Sequence, residues 1–246
     1  CMAGTRMAAP LLALREGHSP VAVGVLLALF ALAQVFLALP AGRYADRHGL
    51  RRPVGWAVLV AMLGAGAAAA WPTFGVLCFA ALLTGGATGA ASIAVQRQAG
   101  VLATNPTELK QVFSWLAIGP ALSNFAGPFG AGLLIDHGGF RLAFAVLALV
   151  PLLSWWWVRS QQTPARAALS ATAAAGPGAW DLMREPPFRR LMIVNWLLAS
   201  CWDVHTFLVP VLGHERGMSA SAIGAVLGAF ALAAAAVRVL MPLLAA

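Results

Sequence analysis

The sequence predicts an all-α membrane protein with about eight apolar helical segments. Of its 246 residues, 61% are hydrophobic and 10% are charged, whereas about a quarter of the residues in a soluble domain are charged. Residues 20–41 give 22 consecutive positions with one internal polar side chain, Gln34. At about 1.5 Å per residue such a helix spans about 33 Å, which matches a hydrocarbon core of about 30 Å. Because lipid offers the backbone no hydrogen bonds, runs of this length are predicted to be helices.

The apolar segments follow one another with short polar connections between them. They cover residues 1–14, 20–41, 53–71, 74–103, 112–135, 142–159, 188–212 and 220–240. The segment 74–103 is polar at its far end, so we expect its span to lie nearer 74–97. The first segment is too short to cross a bilayer, and the chain opens on Cys1. We therefore expect a fragment that begins inside the first helix.

The distribution of positive charge predicts the orientation in the membrane. One set of loops holds ten Lys and Arg residues: Arg43, Arg47, Arg51, Arg52, Lys110, Arg159, Arg166, Arg184, Arg189 and Arg190. The opposite set holds three: Arg15, Arg141 and Arg216. Because cytoplasmic loops carry the excess of Lys and Arg, residues 42–52 are predicted to lie on the cytoplasmic side of a cell membrane. That membrane is predicted to be the bacterial inner membrane. Arginines scattered over separate short loops argue against a nucleic-acid partner.

Cysteine and histidine spacing gives no sign of a bound metal. Cys78 and Cys201 lie in apolar helical segments, where cysteine behaves as a small hydrophobic residue. No CxxC pair and no Cys/His metal-binding spacing occurs in the sequence. We expect no disulfide, no metal and no cofactor.

A stretch of sequence recurs at an offset of two hundred residues. Residues 10–33 and 210–233 align without a gap and share 11 of 24 residues, including a common Pro, Gly, Ser and Gly spacing. An even number of helices between the copies indicates a parallel repeat of two six-helix halves. We predict an N-terminal bundle over 1–159, a cytoplasmic linker over 160–187, the first two helices of a second bundle over 188–246, and a monomer.

Two motifs resemble those of the major facilitator superfamily. The stretch "GRYADRHGLRR" is similar to that family's motif between helices two and three, at Gly42, Asp46, Arg47, Gly49, Arg51 and Arg52. Leu50 departs from the pattern, since a basic residue usually follows the second glycine. The stretch "NFAGPFGAG" resembles the Gly-Pro motif of the family's antiporter branches, at Gly127, Pro128 and Gly132. The resemblance covers the whole chain, which would end after helix eight of twelve.

The resemblance implies a role for each motif. Asp46 would be the gate anion that meets a helix N-terminus of the other half, and Gly42 would permit the close approach. The arginines beside them have a simpler alternative role, which is to enforce topology. Gly119-Pro120 and Gly127-Pro128 would break the fifth helix twice and seal the central cavity, although plain helix packing explains the same residues.

Charged side chains within the membrane are expensive and usually face a cavity or a partner. Asp203 is our candidate for a coupling proton or a cationic substrate, and Arg6 for substrate contact. Arg97 is expected to snorkel or to pair with Asp46 rather than to bind substrate. Each of these has an alternative role as a helix–helix contact. Further polar or aromatic candidates are Gln34, Asn124 and Trp202.

The family resemblance implies a secondary transporter rather than an enzyme. Such a protein moves a small molecule by alternating access within the bilayer, and the Gly-Pro stretch favours export by proton antiport. Exporters of this family commonly carry an arginine four or five residues before a glycine in the fourth helix; here Ala80, Ala81 and Leu82 occupy that region. Uptake of a small metabolite is the alternative. A non-transporting sensor or an intramembrane enzyme is weaker, since neither GxSxG nor HExxH occurs.

The predicted orientation can be tested by labelling from the two sides of the membrane. In a variant without native cysteines, Arg47→Cys should react with a membrane-impermeant maleimide in inverted vesicles and not in intact cells. Arg216→Cys should give the opposite pattern, because it lies in a loop of the opposite set. Labelling at position 47 in intact cells would show that the inside and outside assignments are reversed.

Overall fold

The chain folds into a bundle of helices joined by short turns. The computed structural model describes residues 1–102, 105–160 and 184–244, and these contain no strand. The helices are α1 (Met2–Arg15), α2 (Pro20–His48), α3 (Arg51–Ala70), α4 (Phe74–Leu102), a long helical run over Pro106–Ser160, α7 (Pro186–Glu215) and α8 (Ala220–Leu244). The predicted all-α membrane fold is confirmed. Most of the predicted linker, residues 161–183, lies outside the described residues.

The long run over Pro106–Ser160 consists of two helices that fold back on each other. Its one non-helical residue is Gly139, with φ 76° and ψ 177°, a conformation that favours glycine. We name the two parts α5 (106–138) and α6 (140–160). A Cβ placed on Gly4 would lie 3.0 Å from the carbonyl oxygen of Gly127 in α5 and 2.6 Å from Leu147 in α6. Both parts therefore pack against the same point of α1, as an antiparallel pair would.

Six helices of the described residues are long and apolar enough to cross a membrane. One of them, Glu108–Ser160, has 53 residues and is divided at Gly139, so it supplies length for two crossings. The 14 residues of α1 do not reach a full span. By the length and apolar composition of these helices, the chain is a multi-pass membrane protein.

The two copies of the internal repeat form the same turn. Gly17 and Gly217 both have positive φ, at 83° and 65°, just after α1 and α7. The N–H of Gly17 donates to Leu14 at 3.0 Å, and that of Gly217 donates to His214 at 3.0 Å. These left-handed glycines end each helix in the Schellman manner. A serine then caps the next helix in both copies: Ser19 and Ser219 accept from the N–H three residues on.

The centre of the bundle is packed around α1. Its residues from Met7 to Leu14 are buried, together with Phe30 of α2 and Phe144 of α6. Small residues bring the backbones close: a Cβ placed on Gly85 of α4 would lie 2.4 Å from the carbonyl oxygen of Phe30. Lipid supplies little hydrophobic drive between helices, so this close van der Waals packing holds the bundle together.

The packing at Gly85 can be tested with a matched pair of glycine substitutions. Gly85→Ala should lower the free energy of unfolding by about 1–3 kcal/mol, because the new methyl group would overlap the α2 backbone. Gly66→Ala, in the neighbouring helix α3, should be neutral or slightly stabilising, since a Cβ there meets nothing within 4 Å. Thermal unfolding of both purified variants in detergent measures the difference. Equal stability of the two variants would contradict the close approach of α2 and α4.

Candidate functional site

An ion pair joins α1 to α7, with the Arg6 side chain 20% exposed and the Asp203 side chain 53% exposed. The Nη2 atom of Arg6 donates to Oδ1 of Asp203 at 2.5 Å, across 197 residues of sequence. Arg6 lies nine residues before the end of α1 at Arg15, or about 14 Å along the axis. Asp203 lies about 18 Å before the end of α7 at Glu215, so the pair is close to the middle of a hydrocarbon core of about 30 Å. Arg6 and Asp203, each predicted as a separate candidate, are therefore in direct contact.

A pocket lies beside this ion pair, with Arg6 in its lining and walls from α1, α5, α7 and α8. Asn124 and Pro128 of α5 line it, opposite Trp202 and His205 of α7. Phe230 of α8 closes one side, with its ring centroid 4.0 Å from that of His205 and 5.2 Å from that of Trp202. The pocket lining therefore combines the Arg6 guanidinium, one amide and three aromatic rings, and Asp203 lies next to it, bonded to Arg6.

Two polar atoms in this pocket are buried without a hydrogen-bond partner among the described residues. They are Nε of Arg6 and Nε2 of His205. A buried unpaired polar atom is costly, and such atoms are uncommon in folded proteins. Both atoms belong to residues that line the pocket.

The arginine-rich loop holds a second ion pair at one end of the bundle. The Nε atom of Arg97, in α4, donates to Oδ1 of Asp46 in α2, so the predicted pairing of these residues is present. Arg51, at the start of α3, reaches the carbonyl oxygen of Arg159 at 3.4 Å and ties this end to α6. Gly49 has φ 70° and ψ −156°, which explains why the second glycine of the motif ends α2.

The first glycine of the motif has no close neighbour within the described residues. A Cβ on Gly42 would meet its nearest atom, in Ile93, at 4.0 Å, which is ordinary contact. Gln34, also in α2, donates to Sδ of Met2 at 3.7 Å and lies away from the Arg6–Asp203 pocket. Gly42 and Gln34 are thus not brought to the ion-paired site.

The two Gly-Pro pairs do not break the fifth helix, contrary to the expectation from the sequence. Pro120 and Pro128 lie inside α5 without interrupting it, and the helical backbone breaks at Gly139 instead. A helix can absorb a proline where neighbouring helices and local adjustments satisfy the freed backbone groups. Gly127 packs against Ala3 of α1, whereas a Cβ on Gly119 would meet nothing within 4 Å.

Gly132 and Asp136 of α5 contact the start of α8. A Cβ on Gly132 would lie 2.4 Å from the carbonyl oxygen of Ala220. The carboxylate of Asp136 accepts from the N–H of Ala220 at 3.0 Å and from that of Ser221 at 2.8 Å. Sequence reasoning missed Asp136, because it lies just past the apolar segment 112–135. The signal that could have pointed to this contact is the internal repeat, in which Ala220 occupies the position that Pro20 has in the first copy.

Titratable side chains do not gather elsewhere in the described part of the chain. No group of three or more His, Cys, Asp or Glu side chains is placed there to hold a metal ion. Polar contacts between helices include the Arg6–Asp203 pair, the Asp46–Arg97 pair and the Asp136 cap. These features define a multi-helix membrane protein with an ion pair beside a pocket among α1, α5, α7 and α8.

The chain belongs to the Major Facilitator Superfamily, whose family model matches residues 1–246. It is 34% identical over 149 residues to the "Tetracycline resistance protein, class B" of Escherichia coli, covering 55% of this chain and 34% of that protein. It is 31% identical over 211 residues to the "3-(3-hydroxy-phenyl)propionate transporter" of Escherichia coli (strain K12), covering 80% of this chain and 49% of that protein. The matches thus span half or less of the length of these relatives.

The energetic role of the Arg6–Asp203 pair can be tested with a double-mutant cycle. Asp203→Leu alone leaves a guanidinium without its partner and should lower the free energy of unfolding by about 1–2 kcal/mol. The double variant Arg6→Met/Asp203→Leu should recover most of that loss, because no uncompensated charge remains. Thermal unfolding in detergent gives the coupling. Strictly additive effects of the two substitutions would contradict a direct interaction between these side chains.

Proposed function

We propose that the whole protein is a secondary active transporter that exports a small molecule in exchange for protons. The observation that supports this best is the Arg6–Asp203 ion pair, which lies near mid-membrane beside a pocket lined by α1, α5, α7 and α8. A pocket at this depth between helices of two bundles suits alternating access, in which the bundles rock about a central site. The proposed halves are residues 1–159 and 188–246, joined by residues 160–187.

Asp203 is the proposed proton carrier. While it is ionised, the carboxylate accepts a hydrogen bond from Arg6 and holds α7 to α1. A proton taken up from one side of the membrane neutralises the carboxylate and weakens the pair, which frees the guanidinium. Return of the proton to the other side restores the charge and the pair. One proton thus crosses per cycle without any covalent chemistry, and no cofactor is needed.

Arg6, Asn124 and Trp202 are the proposed substrate contacts. The unpaired Nε of Arg6 and Nε2 of His205 offer hydrogen bonds within the pocket, and the ring of Phe230 faces them. Such a surface suits an organic molecule that has both an apolar ring and a polar group. Gln34 lies outside this pocket and would act, if at all, on access from the α2 side.

The cytoplasmic gate is the proposed role of the arginine-rich loop. The motif residues Gly42, Asp46, Arg47, Gly49, Arg51 and Arg52 would hold one access state, with the Asp46–Arg97 pair orienting the carboxylate. A few kcal/mol are enough to decide which of two states dominates. In α5, Gly119, Pro120, Gly127, Pro128 and Gly132 would let the helix bend and seal the cavity. The protein would work as a monomer in the bacterial inner membrane.

The direction of transport is the finer part of the proposal. Export is supported by the Gly-Pro stretch and by the relative named for tetracycline resistance. Uptake of a small metabolite is the alternative, and it is favoured by the relative named as a 3-(3-hydroxy-phenyl)propionate transporter, whose match covers more of this chain. A non-transporting sensor or an intramembrane enzyme would need neither a residue that carries a proton at mid-membrane nor a pocket that releases its ligand.

Transport by the whole protein in proteoliposomes tests the coupling. With an imposed pH gradient, tetracycline and 3-(3-hydroxy-phenyl)propionate are each offered, and their accumulation is followed together with proton flux. Asp203→Asn should lower the uphill accumulation of substrate tenfold or more, while downhill exchange of substrate continues. Glu215→Gln is the matched control: it removes one negative charge from the same helix outside the pocket, and should leave accumulation unchanged.

Each outcome decides one part of the proposal. Substrate flux that does not depend on the pH gradient would exclude proton coupling. Accumulation of substrate in the same direction as proton flow would show that the function is uptake and not export. If Asp203→Asn retained full coupled transport, Asp203 would not be the carrier.

A further inference from the structure

The backbones of α5 and α8 run against each other at the end of the bundle opposite the arginine-rich loop. A Cβ on Gly132 would lie 2.4 Å from the carbonyl oxygen of Ala220, and one on Gly224 would lie 2.4 Å from that of Pro128. Contacts move backward along α5 as they move forward along α8, so the two helices are antiparallel. Asp136 lies one turn beyond Gly132, where this contact surface reaches the beginning of α8.

We propose that Asp136 is a latch that holds α5 against α8 and keeps this end of the transporter closed. Its two carboxylate oxygens accept from Ala220 at 3.0 Å and from Ser221 at 2.8 Å, the first two N–H groups of α8. These N–H groups have no partner inside their own helix, and they carry the positive end of the helix dipole. One side chain of α5 thus supplies both hydrogen bonds and a favourable charge to α8.

The two copies of the internal repeat differ at the residue of α8 that donates to this carboxylate. In α2 the helix begins with Pro20, which has no N–H to offer, and Ser19 caps it through the N–H of Ala22 at 3.3 Å. At the corresponding place α8 begins with Ala220, whose N–H goes to Asp136. The local serine cap is kept, because Ser219 accepts from Ala222 at 3.2 Å. The copies therefore differ at the residue that makes the inter-helix bond possible.

The latch is suited to repeated opening because it lies at the surface. Asp136 and Ser221 are at the exposed end of the contact, so water can replace their hydrogen bonds when α5 and α8 separate. Arg15, stacked over Phe140 at 5.2 Å, adds positive charge near the same end. The inference rests on the proposed alternating access, since a latch matters only if this end opens during the cycle.

Pulsed electron paramagnetic resonance on the whole protein in nanodiscs tests the latch. Spin labels are attached through His137→Cys on α5 and Arg216→Cys before α8, both exposed positions, after the native cysteines are replaced. Asp136→Ala should raise the ratio of the long-distance (open) to the short-distance (closed) population about five- to thirtyfold. Asp136→Asn should give a smaller rise, because the amide keeps one acceptor oxygen, and it serves if the alanine variant is unstable.

Ser219→Ala is the matched control. It removes a cap from the same first turn of α8 without touching α5, so its distance distribution should equal that of the parent. The latch is overturned if both Asp136 variants keep the parent distribution, or if Ser219→Ala shifts it equally, since the effect would then be helix capping alone. Because this readout is a distance and not transport, an uncoupled or substrate-free protein still reports on the latch.

Discussion

Lipid cannot hydrogen-bond to the peptide backbone, and the rest of this structure depends on that constraint. Each described crossing segment is helical, and several helix ends are finished by a capping serine, a left-handed glycine or a carboxylate from another helix. With the backbone satisfied within each helix, the helices can attract one another only through close packing and a few polar contacts. Gly85 against Phe30, Gly132 against Ala220 and Gly224 against Pro128 are three such close approaches between helix backbones.

The acidic side chains that meet other helices lie at three depths of the bundle. Asp46 pairs with Arg97 at the arginine-rich end, Asp203 pairs with Arg6 near the middle, and Asp136 caps α8 at the opposite end. The three carboxylates are exposed, at 53% for Asp203 and 63% for Asp46, and each joins two specific helices through its hydrogen bonds. Two of the three contacts, those of Asp203 and Asp136, join helices that lie on opposite sides of residues 161–183 in sequence.

Much of the fold could be predicted from the sequence, because membrane helices are defined by length and hydropathy. The runs 20–41 and 53–71 correspond to α2 and α3, although α2 continues to His48, since helices extend beyond the hydrocarbon core. Contacts across the bundle were harder to predict. Arg6 and Asp203 each stood out as a charge in an apolar segment, but nothing in one sequence pairs residues 197 apart. Asp136 was missed because an acid at a helix end looks like ordinary surface.

The placement of these contacts gives the proposed cycle its order. A rocking motion about the midplane moves the ends of α5 and α8 apart by the largest distance, and it moves side chains near the pivot least. Opening would therefore break the Asp136 contacts directly, whereas the Arg6–Asp203 pair could survive the motion unless a proton or a ligand replaces one partner. The end contacts would then set which state is populated, and the central pair would set when the change is allowed. A transporter needs both controls, because a gate that ignores the occupancy of the pocket would dissipate the gradient.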